Sequence, residues 1–590
     1  MSKSTPLPLL YWHTLRHIQP SQIAWRILRR LQRPLDRLAA LLPGPAVPAR
    51  FVPEPLRGLR ALLEEAARSG LMPAPDALES IRKQEFRFLN LTAPPGKIPW
   101  HDRRLPRLWR YQLHGFRFLG AVAVANTVEP YLGDRDRALH WMRDWVKRNP
   151  AGAPDAWDAH PLADRLLHWA MAEAVFDLRD DALRASFARQ ARWLERHLEW
   201  DLRANHLLKN VCALAAAGCL LGGDALRAKG VRLMLEQFRE QVLPDGGHCE
   251  RSPMYHAFAL WDGLVLLALL GDTPEAAELQ GILSGMAQFL DGVAHPDGDI
   301  PLFNDAALDE APPARPLALL SLAWCGEQPS PATVSPAFAE SGFYALDNPA
   351  GRMLLKAAPV PECQPGHAHG DPLSFELSIG QTRMLVDGGC HGYAESPLRG
   401  YCRSLSAHNT ARVNGAEPME AWSVFRVARR YTLEGVTRTL GEGGLVIDGA
   451  VRLPDGAVHR RTVRCLEEPT AWGLRDSAEV SGGGAVSLEV FFHAGPNAHV
   501  ERRDDGLWVI HRGSVKLALM PAAGVRVTLS DGPEGENEFW HCPQFGRACP
   551  SPTLILQSEG EGTAECACWL FPPEHAWAVR LLRDGEDLDR

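Results

Sequence analysis

From about residue 56 to residue 292 the apolar side chains recur at a spacing of three to four, as in LRALLEEAARSGLM, DRALHWMRDWVKR, ADRLLHWAMAEAVFDL and ALRAKGVRLMLEQFREQVL. That spacing lines one face of an α-helix, so this half predicts a succession of amphipathic helices. Their connections are short and carry Gly, Pro or Asp, which makes neighbouring helices antiparallel hairpins. No fixed sequence period runs through them, and a closed toroid is therefore expected over a regular repeat array. Between Ala307 and Ala337 the chain turns Pro-rich, with APPARP and QPSPATVSP, and beyond it the pattern changes to period two. Runs such as SGFYAL, GRMLLKA, LSFELSI, TRMLVDGG, LVIDGAVRL, VSLEVFFHA and TLILQSE, separated by turn residues, predict many short strands in an antiparallel sandwich. The expected fold is α+β and multidomain: a helical extension over 1–55, an (α/α) toroid over 56–320 and an antiparallel β-sandwich over 338–590.

At 590 residues the chain exceeds one ordinary core, in line with that division. A hydrophobic share of 46% with 23% charged residues is that of a folded protein rather than a disordered one. The net charge of −8 is spread over both halves, which excludes the global basic surface on which nucleic-acid affinity depends. No nucleic-acid partner is expected, and an anionic ligand would need a locally basic cleft. Arginines do cluster near the N-terminus, at Arg16, Arg26, Arg29, Arg30, Arg33 and Arg37, interleaved with apolar residues at helical spacing. They read as a solvated helix face rather than a membrane or nucleic-acid contact. Twelve cysteines are scattered without a CxxC pair, which argues against a disulfide framework and against a thiolate metal cage. No run approaches the roughly 18 apolar residues that span a bilayer, and the first residues lack the apolar stretch and cleavage site of a secretory signal. The expectation is no membrane span and a cytoplasmic location, with a periplasmic or secreted one left open.

Three constellations could carry chemistry. Asn205-His206, in RANHLLKN, opens a helix; a helix-start Asn serves equally as a cap. The run DGGHCERSPMYHAF, from Asp245 to Phe258, packs His248, Glu250, Arg251, Tyr255 and His256 into a Gly- and Pro-punctuated loop before a helix, where a scaffold displays reactive groups. The bland alternative is a capped helix start with Pro253 in its first turn and a buried, hydrogen-bonded Tyr255. Last comes GHAHGDPLSFELSIGQTRMLVDGG, followed by SLSAHNTARVNG. On an extended chain His367 and His369 share one face, with Asp387 ending a neighbouring strand and His408 preceding another. Imidazoles with one carboxylate suit zinc, and the set exceeds what a metal needs, which leaves one His for catalysis.

Taken together, these motifs resemble the heparinase II/III-like polysaccharide lyases. The resemblance runs through YWHTLRHIQPSQIAWRILRRLQRP, LWRYQLHGF, WDAHPLADRLLHW, RANHLLKN, DGGHCERSPMYH, HPDGDIPLFNDAA, SGFYAL and the GHAHGD to AHNT block, nearly the whole chain and in order. It implies an (α/α) toroid followed by a β-sandwich, and an anionic uronic-acid polysaccharide or oligosaccharide as substrate. It places Asn205 at the substrate carboxylate, His206 or His367 as base and Tyr255 as general acid or acid/base. Glu250, Arg251, Tyr393 and Arg403 are the implied substrate contacts. His369, Asp387 and His408 are the implied ligands of a divalent metal, zinc first, with manganese or calcium behind it.

β-Elimination suits such a set. The proton at C5 of a uronate leaves only if its carboxylate is neutralised, which an amide and nearby cations do by preorganised hydrogen bonds. A His or Tyr then takes the proton and a Tyr protonates the departing C4 oxygen. Three rivals stay open on sequence: a uronate C5-epimerase, a glycoside hydrolase using two of Glu250, Asp245 and Asp305, and a glycan-binding protein without activity. Which polymer is bound (glycosaminoglycan, alginate or exopolysaccharide) is open as well.

Overall fold

A computed structural model of the chain describes residues 6–39, 50–94, 96–329, 335–362, 365–441, 443–532 and 539–585. From Pro53–Arg68 to Ala314–Trp324 the chain is a ring of helices. Their inward faces are apolar and form one continuous core that includes Leu62, Leu166, Leu214 and Leu264, all fully buried. The ring closes because Pro53–Arg68 packs on Pro253–Leu270. A side-chain carbon on Gly58 would stand 2.2 Å from the carbonyl oxygen of Ala268, so only glycine permits that approach.

Two helices of the ring revise an expectation. Ala204–Leu221 and Pro253–Leu270 are each 18 residues long and apolar enough by composition to cross a bilayer. They are instead 89% and 83% buried inside the ring, where Lys209 of the first meets Asp262 of the second at 2.7 Å. They are core helices, and their first turns carry Asn205, His206 and Tyr255.

Beyond Ala337 the chain is β-rich, in antiparallel sheets. An eight-stranded sheet runs from Thr432–Gly441 at one edge to His499–Arg502 at the other, a four-stranded one contains Ala485–His493, and a five-stranded one contains Gly351–Lys356 and Ser374–Ile379. A single core draws on all three, with Ile447 and Leu517 from the first, Leu488 and Val490 from the second and Met353 and Leu377 from the third. That shared core makes the sheets a sandwich. The eleven described cysteines are free thiols, in keeping with the absence of a disulfide framework.

The two halves are welded at a mixed interface. Phe289, Val293 and Phe303 from the helical side interlock with Phe343, Ala345 and Leu354 of the five-stranded sheet, all buried. Asp245 accepts hydrogen bonds from the Ser341 N–H and hydroxyl, at 2.8 and 2.6 Å. Lys356, fully enclosed, reaches Asn304 and Asp371, each at 2.6 Å.

The N-terminal extension folds as two helices, Leu7–Leu15 and Pro20–Ala39, that lean on both halves. Thr14 donates to the Val427 carbonyl and receives the Trp422 indole N–H. Trp25 stacks on Trp200, and Arg29 pairs with Asp201 at 2.6 Å. Of the expected solvated arginines, Arg16, Arg26 and Arg30 are exposed, Arg29 turns to the protein, and the side chains of Arg33 and Arg37 lie outside the described residues. Unexpectedly, Ile23, Ile27 and Leu31 stand exposed as well, at 41%, 56% and 66%.

Candidate active site

The constellations meet where the ring abuts the sandwich. Asn205 follows Arg203 and Ala204, both with left-handed backbone (φ 60° and 46°), a sharp turn that starts the helix. Its backbone N–H and its Nδ2 each donate to Glu250 Oε1 at 2.7 Å, and Nδ2 also lies 2.9 Å from Oε2. Glu250 is wholly buried, so it acts behind Asn205 rather than on substrate, which corrects its expected role. If one N–H is shared between the two carboxylate oxygens, the other amide hydrogen is left for a ligand. His206, half-buried beside it, has Nδ1 at 3.2 Å from Glu199 Oε2. Burial alone would depress that imidazole; the Glu199 carboxylate outweighs it and raises the pKa above the usual value.

Ser252 caps the next helix, its hydroxyl accepting the Tyr255 N–H, with Pro253 in the first turn. The Tyr255 hydroxyl lies 2.7 Å from that of Tyr393, which comes from the sandwich half. Burial, reinforced for both by Asp305, lifts both phenols well above the ordinary tyrosine range. They stay protonated at neutral pH. His367 packs on Tyr255 with ring centres 4.3 Å apart. Its Nδ1 is 2.8 Å from Asp305 Oδ2, so the tautomer with the proton on that nitrogen leaves the Nε2 lone pair free, 4.0 Å from Glu250.

Asp305, which sequence reasoning named only as a carboxylate of the hydrolase rival, is the hub. Besides His367 it takes His369 Nε2 at 2.9 Å and both terminal nitrogens of Arg399, one of them at 2.9 Å. Arg399 and the two imidazoles overcome burial and hold its carboxyl well below the usual range. Arg399 also lies over Tyr393 and the half-exposed Phe425. His367 and His369 do face a common partner, but from a 3-10 turn, Pro365–His367, and the residues after it rather than from a strand.

Two expected substrate contacts are corrected. Arg251 donates to the Ser341 and Glu340 carbonyls. Arg403 is buried and donates to the carbonyls of Ala368, Ser423 and Val424. Both brace loops. His248 and His256 of the same polar run are also turned inward, to Gln241 and the Met286 carbonyl.

His369, Asp387 and His408 are fully buried, with one donor atom from each within 4.8 Å of the others. His408 Nδ1 lies 2.7 Å from Asp387, while His369 Nδ1 and His408 Nε2 have no hydrogen-bond partner. Burial lowers His369 to about 3, so it is neutral, and pushes Asp387 up to about 6. At His408 the Asp387 carboxylate outweighs burial and raises the pKa, so a metal there would displace a proton. With that, two imidazoles with unused nitrogens beside a carboxylate strained by burial fit a divalent metal. A second trio, His160, Glu199 and His206, is equally close, and His160 Nδ1 also lacks a hydrogen-bond partner, but its two histidines are only partly buried.

A family model described as the heparinase II/III N-terminus matches residues 75–315, and one described as heparinase II/III-like, C-terminal, matches 330–569. The chain belongs to the heparinase II/III family. Heparin-sulfate lyase of Bacteroides stercoris is 24% identical over 378 residues, 54% of this chain and 56% of that protein. Heparin-sulfate lyase of Pedobacter heparinus is 26% identical over 348 residues, 51% of each. FtsZ-localized protein C of Caulobacter vibrioides is 27% identical over 307 residues, 49% of this chain and 50% of that one. The chain spans about half the length of the curated relatives it matches. Among solved structures, heparinase III superposes with a TM-score of 0.64 at 17% identity, over 87% of this chain and 85% of that one. A heparan sulfate lyase mutant from Pedobacter heparinus gives 0.58 at 20%, over 84% and 82%. At those identities the likeness establishes the heparinase fold, toroid plus sandwich.

Proposed function

We propose that the protein is a polysaccharide lyase that cleaves a uronic-acid-containing glycan by β-elimination. A glycosaminoglycan of the heparan sulfate type is the first candidate substrate, because two curated relatives are named heparin-sulfate lyases. Alginate and bacterial exopolysaccharides follow. The observation that carries the reading is the convergence of Asn205, His367 and Tyr255, with Asp305 setting the tautomer of the histidine.

In this reading the second amide hydrogen of Asn205 and a protonated His206 receive the uronate carboxylate, so that charge moves into it as the C5 proton departs. His367 Nε2 takes that proton, oriented by Asp305 as a catalytic-triad histidine is by its aspartate. Tyr255, kept neutral by burial, donates to the C4 oxygen as the bond to it breaks, and Tyr393 restores its hydrogen bond. A divalent metal, zinc before manganese or calcium, would be held by His369, Asp387 and His408 and would order the loop that carries His367. The hydrolase alternative needs two unengaged carboxylates. Glu250 is tied to Asn205, Asp305 to two imidazoles and a guanidinium, and Asp245 to Ser341, so none of the three is free for it.

The test is a panel of uronic polymers and oligosaccharides followed by ultraviolet absorbance. Wild-type protein is expected to raise absorbance through a C4–C5 unsaturated uronate, and Tyr255→Phe to lose about 10²- to 10⁴-fold in rate with substrate binding kept. Reducing ends without absorbance would establish hydrolysis, inverted C5 without cleavage would establish epimerisation, and a near-normal Tyr255→Phe would remove this tyrosine from the chemistry.

A further inference from the structure

We propose that the two N-terminal helices form an interfacial anchor that seats the protein on an anionic phospholipid surface. A surface helix of a globular protein ordinarily turns its apolar stripe to the core and its polar residues to water. The Pro20–Ala39 helix instead leaves its apolar stripe in the open. Gln22, Trp25 and Arg29 face the toroid, where Gln22 donates to the Asp201 carbonyl, Trp25 stacks on Trp200 and Arg29 pairs with Asp201. Ile23, Ile27 and Leu31, at four-residue spacing, make a continuous apolar stripe on the opposite side, 41%, 56% and 66% exposed.

The preceding helix, Leu7–Leu15, has no buried residue, and its Trp12 and Leu7 are 65% and 57% exposed. It is held to the sandwich by its polar and aromatic atoms, through Thr14 and the edge contact of Tyr11 with Trp422. Both helices are therefore fixed to the body by their less apolar sides, and their apolar sides are free. Scattered exposed apolar residues need no explanation, but the large apolar side chains exposed among the described residues concentrate in this one short arm.

Charge selects the occupant. From Leu7 to Arg33 the sequence holds five arginines and no acidic residue, in a chain whose net charge is −8. Exposed Arg26 and Arg30 flank the Ile23–Ile27–Leu31 stripe on one side. An apolar stripe a few ångströms deep with a basic rim matches the acyl boundary and phosphate layer of an anionic bilayer. A second copy of this chain would bring the same arginines against each other. The arm also holds the 199–201 turn that leads to His206, so docking would bring the mouth of the cleft close to the membrane.

The experiment is flotation of the full chain with vesicles of phosphatidylcholine alone or mixed with phosphatidylglycerol, read by protein recovered with lipid and independent of turnover. Wild type is expected to float with the mixed vesicles, less at high salt, and little with phosphatidylcholine. Ile27→Asp with Leu31→Asp should weaken partitioning about a hundredfold, and Arg26→Ala with Arg30→Ala about tenfold or more. All four positions are exposed, so unchanged melting temperatures are expected to certify the variants. Three results would overturn the proposal. One is wild type that fails to float, and another is partitioning indifferent to both variants. The third is a dimer in light scattering, without vesicle binding, that Ile27→Asp with Leu31→Asp splits.

Discussion

At the scale of single residues the proposed site pairs each candidate reacting group with a second side chain: Asn205 with Glu250, His206 with Glu199, His367 with Asp305, Tyr255 with Tyr393. Sequence reasoning named one member of each pair as catalytic and saw few of the partners as partners. Glu250 and Asp305 were legible only as carboxylates, and a carboxylate reads alike whether it touches substrate or steadies another side chain. Arg399 and Arg403 sit four apart on one short helix, so spacing could not say which reaches Asp305. The pairing of His206 has a pH consequence. Because Glu199 raises its pKa above the usual 6.5, the charge pair stabilises the fold fully below about 6.5 and is lost as pH climbs through the raised value. If that charge receives the uronate, kcat/KM falls over the same alkaline window. Glu199→Gln is expected to move that limb to lower pH and to cost about tenfold in kcat/KM at neutral pH. An alkaline limb that does not move would take His206 out of substrate binding.

At the scale of elements, helices were more legible than strands, and the cause is visible. Val458–Leu466, VHRRTVRCL, turns His459, Arg461 and Val463 inward. Asp476 receives His459 at 2.7 Å and Arg461 at 2.8 Å, all three buried. A strand that buries charge shows no clean alternation of apolar and polar residues, so its period is hidden. The ring helices bury charge too, Lys209 with Asp262 and Asp164, but over 18 residues the spacing of three to four survives such exceptions. The loop bearing His367 and His369 is short and irregular, and its shape depends on what holds its ends. Asp305 ties His367 to His369, whose other nitrogen is one of the unused donors of the buried trio. A metal there would fix the loop through that tie. His408→Ala is accordingly expected to lose bound metal, melt at lower temperature and lose activity indirectly, whereas His367→Ala should keep the metal and lose turnover. Elemental analysis of the two purified variants reads the contrast. Equal metal in wild type and His408→Ala would end the assignment.

At the scale of the molecule, neither domain contains a complete site. The toroid supplies Asn205, His206 and Tyr255, and the sandwich half supplies His367, Tyr393 and Arg399, so the proposed catalysis depends on how rigidly the two are joined. The joint is apolar at its centre, where Phe343 of the five-stranded sheet meets Phe289 and Phe303 edge-on or tilted, with ring centres 5.5 and 5.8 Å apart. Truncating Phe343 to Ala removes both aromatic contacts and leaves a cavity, a change that costs about 3–5 kcal/mol when the surroundings cannot collapse. The ring and the sandwich each keep their own cores, so the loss falls on the weld. The Tyr255–Tyr393 hydrogen bond and the His367 packing cross that weld, and a displacement of about 1 Å between reacting groups costs on the order of 10²-fold in rate. Phe343→Ala should therefore lose turnover far more than its distance from the chemistry implies. In calorimetry one melting transition should broaden or split into two as the halves uncouple, while circular dichroism at low temperature keeps the wild-type helix and strand signals. A variant that turns over within about twofold of wild type and melts in one unchanged transition would mean that polar contacts across the joint, those of Asp245, Asp305 and Lys356 among them, hold the site together without the aromatic weld.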